Sequence, residues 1–358
     1  MVEHLNVNLK DMKKYFLIAA CAILAIACST NQPKSGQAPE EPQYEDLNGL
    51  AFASLSVINM REDPDYAAEL GTQALMGTPV KVHYAPEDDY WVMIETPDGY
   101  KAWVNDAAIS MTDEEGLAAW KKSNRVIVTS DYTFFVEKPQ ADAQRVCDAV
   151  WGCIVQYAGT SGKYTEVILP NGKHAFALTA DVTDFEQWAN SRVAVVPADA
   201  PQADIDRARA EIIATAKKFV GIPYLWAGTS IKGVDCSGFS KSVYYLNGYQ
   251  LLRNASQQYK TGDPVDVSEG YDNLQPADLV FFGREATAER PERISHVGIY
   301  MGDGMIIHSA GVVRINNVVD ESRPDYYKRK IIRAARIIGN QDCGKGVASI
   351  AKGGVYFE

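Results

Sequence analysis

Gly233-Val234-Asp235-Cys236-Ser237-Gly238-Phe239 is the stretch on which the reading of this chain turns. It leaves a loop of small residues and runs into an expected helix, Ser240 to Leu246, that stops before Gly248. A thiol at a helix start meets unpaired backbone N–H groups and the positive end of the macrodipole, and both favour thiolate. Cys236 is therefore a candidate nucleophile. The plainer alternative is a buried structural cysteine, because small residues are commonly buried. This stretch alone does not separate the two.

Sixty residues downstream lies Ser295-His296-Val297-Gly298-Ile299-Tyr300-Met301, then a Gly302-Asp303-Gly304 turn and Met305-Ile306-Ile307-His308-Ser309. Read as a hairpin with a three-residue loop, it sets Met301 opposite Met305, Ile299 opposite Ile307 and Gly298 opposite His308. His296 and His308 then project from one sheet face, while Val297, Ile299, Met301, Met305 and Ile307 form the core side. Singly, each histidine reads more readily as structural, but two of only five on one face point to chemistry. A thiolate nucleophile wants an imidazole to take and return its proton, and that imidazole wants a polar group fixing its tautomer. Cys236 as nucleophile, His296 as base and His308 as orienting residue supply all three parts.

With 358 residues the chain has room for two or three domains, and 46% hydrophobic content suffices for real cores. A net charge of −11 argues against a nucleic-acid partner, since phosphate binding needs a basic patch. Neither GxxxxGK[ST] nor HExxH occurs, so no cofactor and no metal is expected. At the N-terminus, Lys13 and Lys14 precede an apolar run from Tyr15 to Ala27. That run is too short to span a bilayer and suits a signal-peptide core. Cys28, after Ala25 and Ala27, resembles the acylated cysteine of bacterial lipoproteins, with Leu24 one position further back than usual. Met12 would open a more conventional signal than Met1. Asn31 to Asp46 is polar and proline-rich and reads as a linker to a membrane-tethered body of the cell envelope, a monomer. Cys147, Cys153, Cys236 and Cys343 remain in the mature chain, and free thiols are expected there, although sequence alone leaves a Cys147–Cys153 bridge open.

From Leu50 to Ser110 short strands alternate with turns: Ala51 to Met60, Gly77 to Tyr84, Tyr90 to Glu95 and Tyr100 to Val104, which argues a small β-barrel. A helix at Glu114 to Lys122 leads to further strands at Arg125 to Ser130, Tyr132 to Val136, Ile154 to Tyr157, Tyr164 to Leu169 and Lys173 to Leu178, with Asn171-Gly172 a hairpin turn. Asp184 to Trp188 begins a crossover. Beyond Val196 to Pro201, Ile205, Ala208, Ile212, Ala216 and Phe219 share a helical face behind Asp204 as N-cap.

Five motifs in order carry a family resemblance: G-x-x-Y-x-W-x-G at Gly221 to Gly228, D-C-S-G-F at Asp235 to Phe239, P-x-D-L-x-F-F at Pro276 to Phe282, H-V-G-I-Y at His296 to Tyr300 and I-I-H-S-A at Ile306 to Ala310. They resemble the NlpC/P60 cell-wall cysteine peptidases over about 205 to 338. Ala227 and Ala277 stand where that family usually has glycine, and a small loop adjustment with the site kept is expected. Val57 to Pro64, with Gly99 to Val104, resembles bacterial SH3-like domains. The resemblance implies an α+β papain-like catalytic domain behind two SH3-like β-barrels, the second diverged. It partitions the chain as signal 1–28, linker 29–46, SH3-like 47–112 and 113–195, linker 196–203, peptidase 204–338 and tail 339–358. It also implies cleavage of peptidoglycan stem peptides after γ-D-glutamate. Tyr224, Trp226, Asp235 and Ser237 would line the substrate pocket and Ser256 would hold the D-glutamyl carboxylate. Glu69, or else Glu62, would read a free L-Ala amine beside Trp103 or Tyr100, giving a dipeptidyl peptidase of murein recycling. An endopeptidase on intact wall and a non-catalytic wall-binding lipoprotein are the alternatives.

Overall fold

The computed structural model describes residues 48–84 and 90–358. The expected signal segment, Cys28 and the linker to residue 46 lie outside the described residues. The first unit holds strands β1 Gly49–Ala53, β2 Val57–Arg61, β3 Leu70–Leu75, β4 Pro79–Tyr84, β5 Trp91–Glu95, β6 Lys101–Asn105 and β7 Ile109–Thr112. Alternation builds them: in β4, Val80 and Val82 are buried while Lys81 between them is exposed. Ile58, Met60, Val82, Ile94 and Val104 form the core on one sheet face. The strands run in the order β3-β2-β6-β5-β4-β1-β7, and β3 and β7 do not pair with each other. The sheet is therefore open and not the closed barrel expected from strand count; four-residue β7 closes only onto β1.

Helix α1, Glu114–Lys122, coincides with the stretch read as helical and is capped by Asp113, whose side chain accepts from Gly116 N. The second unit follows with β8 Arg125–Val128, β9 Tyr132–Val136, β10 Arg145–Val150, β11 Ile154–Ser161, β12 Tyr164–Ile168, β13 His174–Leu178 and β14 Val182–Asp184. Its order, β10-β9-β13-β12-β11-β8-β14, repeats that of the first unit strand for strand. It too is open. Helix α2, Phe185–Asn190, leads out. The two units touch through backbone: Ile154 N donates to Met76 O at 2.9 Å. A Cβ on Gly77 would lie 2.0 Å from the Ile154 carbonyl oxygen, and the residue has φ +81°, so only glycine fits this approach.

The third region opens with α3, Gln202–Lys218, which starts two residues ahead of Asp204 on Pro201. After the short pair β15 Thr229–Ser230 and β16 Gly233–Val234 comes α4, Cys236–Tyr245, then β17 Tyr249–Gln250 and α5 Ala255–Gln258. The remaining strands are β18 Asp263–Val265, β19 Leu279–Arg284, β20 Arg293–Gly302, β21 Met305–Ala310, β22 Val312–Asn317, β23 Ile331–Arg336 and β24 Ala348–Ser349. Six of them form one antiparallel sheet, β18-β23-β19-β20-β21-β22. Phe239 and Val243 of α4 are buried with Phe281, Val297, Ile299 and Ile307 of the sheet. Each such side chain contributes about 1.5–3 kcal/mol by leaving water. In the β20–β21 hairpin Ile299 faces Ile307 as read, but an irregularity after Tyr300 sets Gly302, not Met301, opposite Met305. Gly302, at φ +98°, absorbs the extra residue.

The last twenty residues pack onto the rest. β24 pairs with β17, and Ile350 and Tyr356 join a cluster with Phe52, Trp120, Phe185 and Trp188. Arg125, almost fully buried, donates to Tyr356 O at 2.5 Å and to Lys121 O at 2.9 Å, with its guanidinium 4.4 Å from the Trp120 ring centroid. Cys147, Cys153, Cys236 and Cys343 are all free thiols. Among the described residues no helix is long and apolar enough to cross a membrane.

Candidate active site

Helix α4 begins at Cys236 itself, four residues earlier than the sequence suggested, because Asp235 caps it: its Oδ1 accepts from Gly238 N at 2.6 Å. The cap also ties the loop before it, since Ala227 N donates to Asp235 Oδ2 at 3.0 Å. A Cβ on Gly238 would lie 1.9 Å from Gly228 O, so glycine lets the helix start press against that loop.

The sulfur meets two opposing influences. The backbone amides of Val297 and Ser237 favour its thiolate, but burial and neighbouring Asp235 win and push the thiol up to about 11. The helix-start advantage expected from sequence is thus outweighed. His296 and His308 leave adjacent strands on the same face, and His296 Nε2 lies 2.7 Å from His308 Nδ1. Burial lowers both imidazoles: His296 to about 3, with His308, Arg329 and Arg314 adding to the effect, and His308 to about 4. The resting site therefore holds a neutral thiol and neutral imidazoles.

Cys236 and His296 open onto one cleft of about 640 Å³. Tyr224, Asp235, Ser237 and Ser256 line it, with Trp226, 57% exposed, on its rim. The first unit supplies the facing side through Glu62, Glu69, Gly71 and Tyr100. Tyr100 Oη donates to Glu62 Oε1 at 2.6 Å, and a Cβ on Gly71 would collide with that carboxylate. The Glu69 carboxylate has no hydrogen-bond or ionic partner among the described residues. Trp103 does not reach the cleft. It is buried, with its ring edge-on to Tyr84 at 5.9 Å, so of the two aromatics named for the wall the structure brings only Tyr100 to it.

Two residues escaped the sequence reading. Arg253, 2% exposed, lies under the cleft floor and donates to Asp235 at 3.2 and 2.5 Å, to Ser237 Oγ at 2.9 Å and, through Nε, to Thr72 Oγ1 of β3 at 2.9 Å. Such a buried fork fixes the flanks of Cys236 to the first unit. Asn316 lies 3.0 Å from His308 Nε2 through its Oδ1. Neither residue carries a local motif; a buried arginine and a strand-end asparagine acquire meaning only from partners distant in the chain. Among the described residues no group of three or more His, Cys, Asp or Glu side chains is gathered to hold a metal.

Residues 221–336 match the NlpC/P60 family and residues 60–109 the bacterial dipeptidyl-peptidase SH3 domain. The gamma-D-glutamyl-L-lysine dipeptidyl-peptidase of Bacillus cereus is 29% identical over 73% of this chain and 73% of its own length. Dipeptidyl-peptidase 6 of Lysinibacillus sphaericus is 24% identical over 82% of this chain and 99% of its own. In fold, the chain is similar to an NlpC/P60 family protein from Bacillus cereus ATCC 10987, with a TM-score of 0.61 at 24% identity over 81% of this chain and 99% of that one. The chain is thus a cysteine peptidase that carries an NlpC/P60 domain over residues 221–336, preceded by a bacterial dipeptidyl-peptidase SH3 domain over residues 60–109.

Proposed function

We propose that the enzyme hydrolyses the bond between γ-D-glutamate and the following diamino acid in free peptidoglycan stem peptides, releasing L-Ala-γ-D-Glu. The name of the Bacillus cereus relative supports the bond class, and the names of both it and the Lysinibacillus sphaericus relative support release of a dipeptide. The observation that carries the free N-terminus is the cleft's facing side, where the first unit sets Glu62, Glu69 and Tyr100 across from Cys236. A carboxylate there pairs with an ammonium and has no use for an acylated nitrogen. Cys236 acts as nucleophile: its proton passes to His296 as the sulfur attacks the glutamyl carbonyl carbon. His296 returns that proton to the leaving amine, a thioester remains on Cys236, and water activated by the same imidazole hydrolyses it. His308 orients His296. Tyr224 and Trp226 wall the pocket and Ser256 receives the D-glutamyl carboxylate.

The two SH3-like units, 47–112 and 113–195, precede the peptidase domain at 204–338, and Cys28 tethers the monomeric enzyme to the envelope membrane by a lipid. The deciding experiment compares hydrolysis of L-Ala-γ-D-Glu-diamino acid with that of its N-acetylated form by wild type and by Cys236→Ala. Wild type should cut the free peptide at least about 100-fold faster than the blocked one, the worth of a lost charged hydrogen bond in a desolvated site. Cys236→Ala should cut neither. Equal rates on both peptides would replace the dipeptidyl reading with an endopeptidase.

A further inference from the structure

We infer that Asn316 is a positioning residue that fixes the direction of every hydrogen in the His296–His308 pair and so leaves His296 Nδ1 as the proton acceptor for Cys236. The inference rests on the nucleophile and base roles given above.

The argument starts at a group that cannot donate. The Asp325 carbonyl oxygen receives Asn316 Nδ2–H at 2.6 Å and Asn317 N–H at 3.1 Å. Reversing the Asn316 amide would set its carbonyl oxygen against that of Asp325, so the amide orientation is chemically fixed. Asn316 therefore presents its Oδ1, an acceptor only, to His308 Nε2 at 3.0 Å. His308 must carry a hydrogen on Nε2. Neutral imidazole has one N–H, and burial keeps His308 neutral, so its Nδ1 is a bare lone pair. His296 Nε2, 2.7 Å away, then has to supply the hydrogen of that contact. His296 is neutral as well, which leaves its Nδ1 without a hydrogen. Of its two ring nitrogens this is the one not engaged by His308, and the ring lines the same cleft as Cys236.

The polarity thus runs from a backbone carbonyl through an amide and an imidazole to the base. Its anchor is held in turn: Tyr327 N donates to Asn317 O at 2.7 Å, and the Tyr327 ring stands edge-on to His308 with centroids 4.5 Å apart. Arg314 and Arg329 lie near the pair and disfavour charge on it. During acylation the thiol proton moves to Nδ1, giving an imidazolium that still donates from Nε2 to His308. The same proton leaves with the amine, so none has to travel along the chain of contacts.

Long-range ¹⁵N–¹H correlation of ¹⁵N-histidine-labelled full-length protein at pH 7 reads the tautomers without reference to turnover. Both site histidines are expected as the Nε2–H form; a His296 protonated at Nδ1 overturns the inference whether or not the protein is a peptidase. Asn316→Leu removes the acceptor and should lower kcat about 10- to 100-fold with little change in KM, with His308 redistributing between tautomers. Asn316→Asp keeps an acceptor facing His308 but loses the donor to the Asp325 carbonyl, so its second oxygen has to turn away and its anchor is weaker than that of asparagine. It should hold the Nε2–H tautomers, retain activity within about 10-fold, and move the acid limb of the kcat/KM profile to higher pH because a carboxylate favours imidazolium. Wild-type kcat and tautomers in Asn316→Leu overturn the assignment. Inactive wild type with both histidines in the Nε2–H form would instead remove the peptidase reading and leave the polarity standing.

Discussion

Cys236 and His296 are each held in the form that carries no charge, and this has a cost that pH exposes. Free histidine titrates near 6.5, whereas burial lowers His296 to about 3 and His308 to about 4. Below pH 6.5 the unfolded chain therefore takes up protons that the folded chain refuses. Stability contributed by the neutral pair is fully present above about 6.5 and is lost as pH falls from there toward about 3, the lower of the two values. Two such groups give a slope of at most roughly 2.7 kcal/mol per pH unit. Urea midpoints measured at pH 7 and pH 5 should fall clearly in wild type, and by about half as much in His308→Gln, which keeps a polar side chain that does not titrate. An unchanged pH dependence in that variant would mean that His308 is not held neutral by the fold.

At the scale of elements, the two turns where alanine replaces the family's usual glycine are informative. Ala227 has φ +62° and Ala277 φ +73°, so both keep the left-handed backbone that glycine adopts freely. The strain of that backbone sits in the residue itself. A left-handed alanine costs about 1–2 kcal/mol, of which glycine returns part and forfeits about 0.4–1 through the freedom of the unfolded chain. Ala277→Gly should raise stability by up to about 1 kcal/mol, and Ala277→Val should lower it by more than that; a thermal melt of the three proteins ranks them, and Val above Ala would refute the strain. The same scale shows how far sequence reached. The cysteine, the histidine hairpin and α1 were legible because each is specified by residues within a few turns of one another. Strand β3, Leu-Gly-Thr-Gln-Ala-Leu, was not, since its Thr72 and Gln73 are polar yet buried. Gln73 Oε1 accepts from Thr229 N and Thr72 Oγ1 from Arg253 Nε, so the buried polar side chains of β3 are satisfied by partners more than 150 residues away. Strand β14, three residues long, gave too short a pattern to read. Trp103, placed at the cleft by the resemblance to SH3-like domains, is turned by its strand into the interior.

For the whole molecule, the union of the units depends on a few charged contacts as much as on apolar area. Lys241 of α4 meets Asp98, in the turn between β5 and β6, at 2.5 Å, with the carboxylate only 1% exposed. Lys241→Met should cost about 3–5 kcal/mol, because it leaves a buried carboxylate unpaired, while adding Asp98→Asn should recover most of the loss. Denaturation midpoints of the single and double variants decide it: equal losses would mean that the pair is not what holds α4 to the first unit. The pair sits five residues along the helix from Cys236, so the single variant should also loosen the cleft's facing side and raise KM for the free stem peptide.

The C-terminal segment sets when all this can happen. Lys121 of α1 donates to Gly354 O at 2.6 Å and Arg125 of β8 to Tyr356 O at 2.5 Å, partners 233 and 231 positions apart. Chains are made and exported from the N-terminus, and each open sheet has a core of its own to fold around before the rest arrives. The cluster under Tyr356 has no such independence. Its aromatic half, on α1 and α2, stays uncovered until residues 350–357 have been made. Joining of the three regions thus waits for residues 350–357, and a chain lacking them would present Trp120 and Phe185 as adhesive surface in place of a finished enzyme.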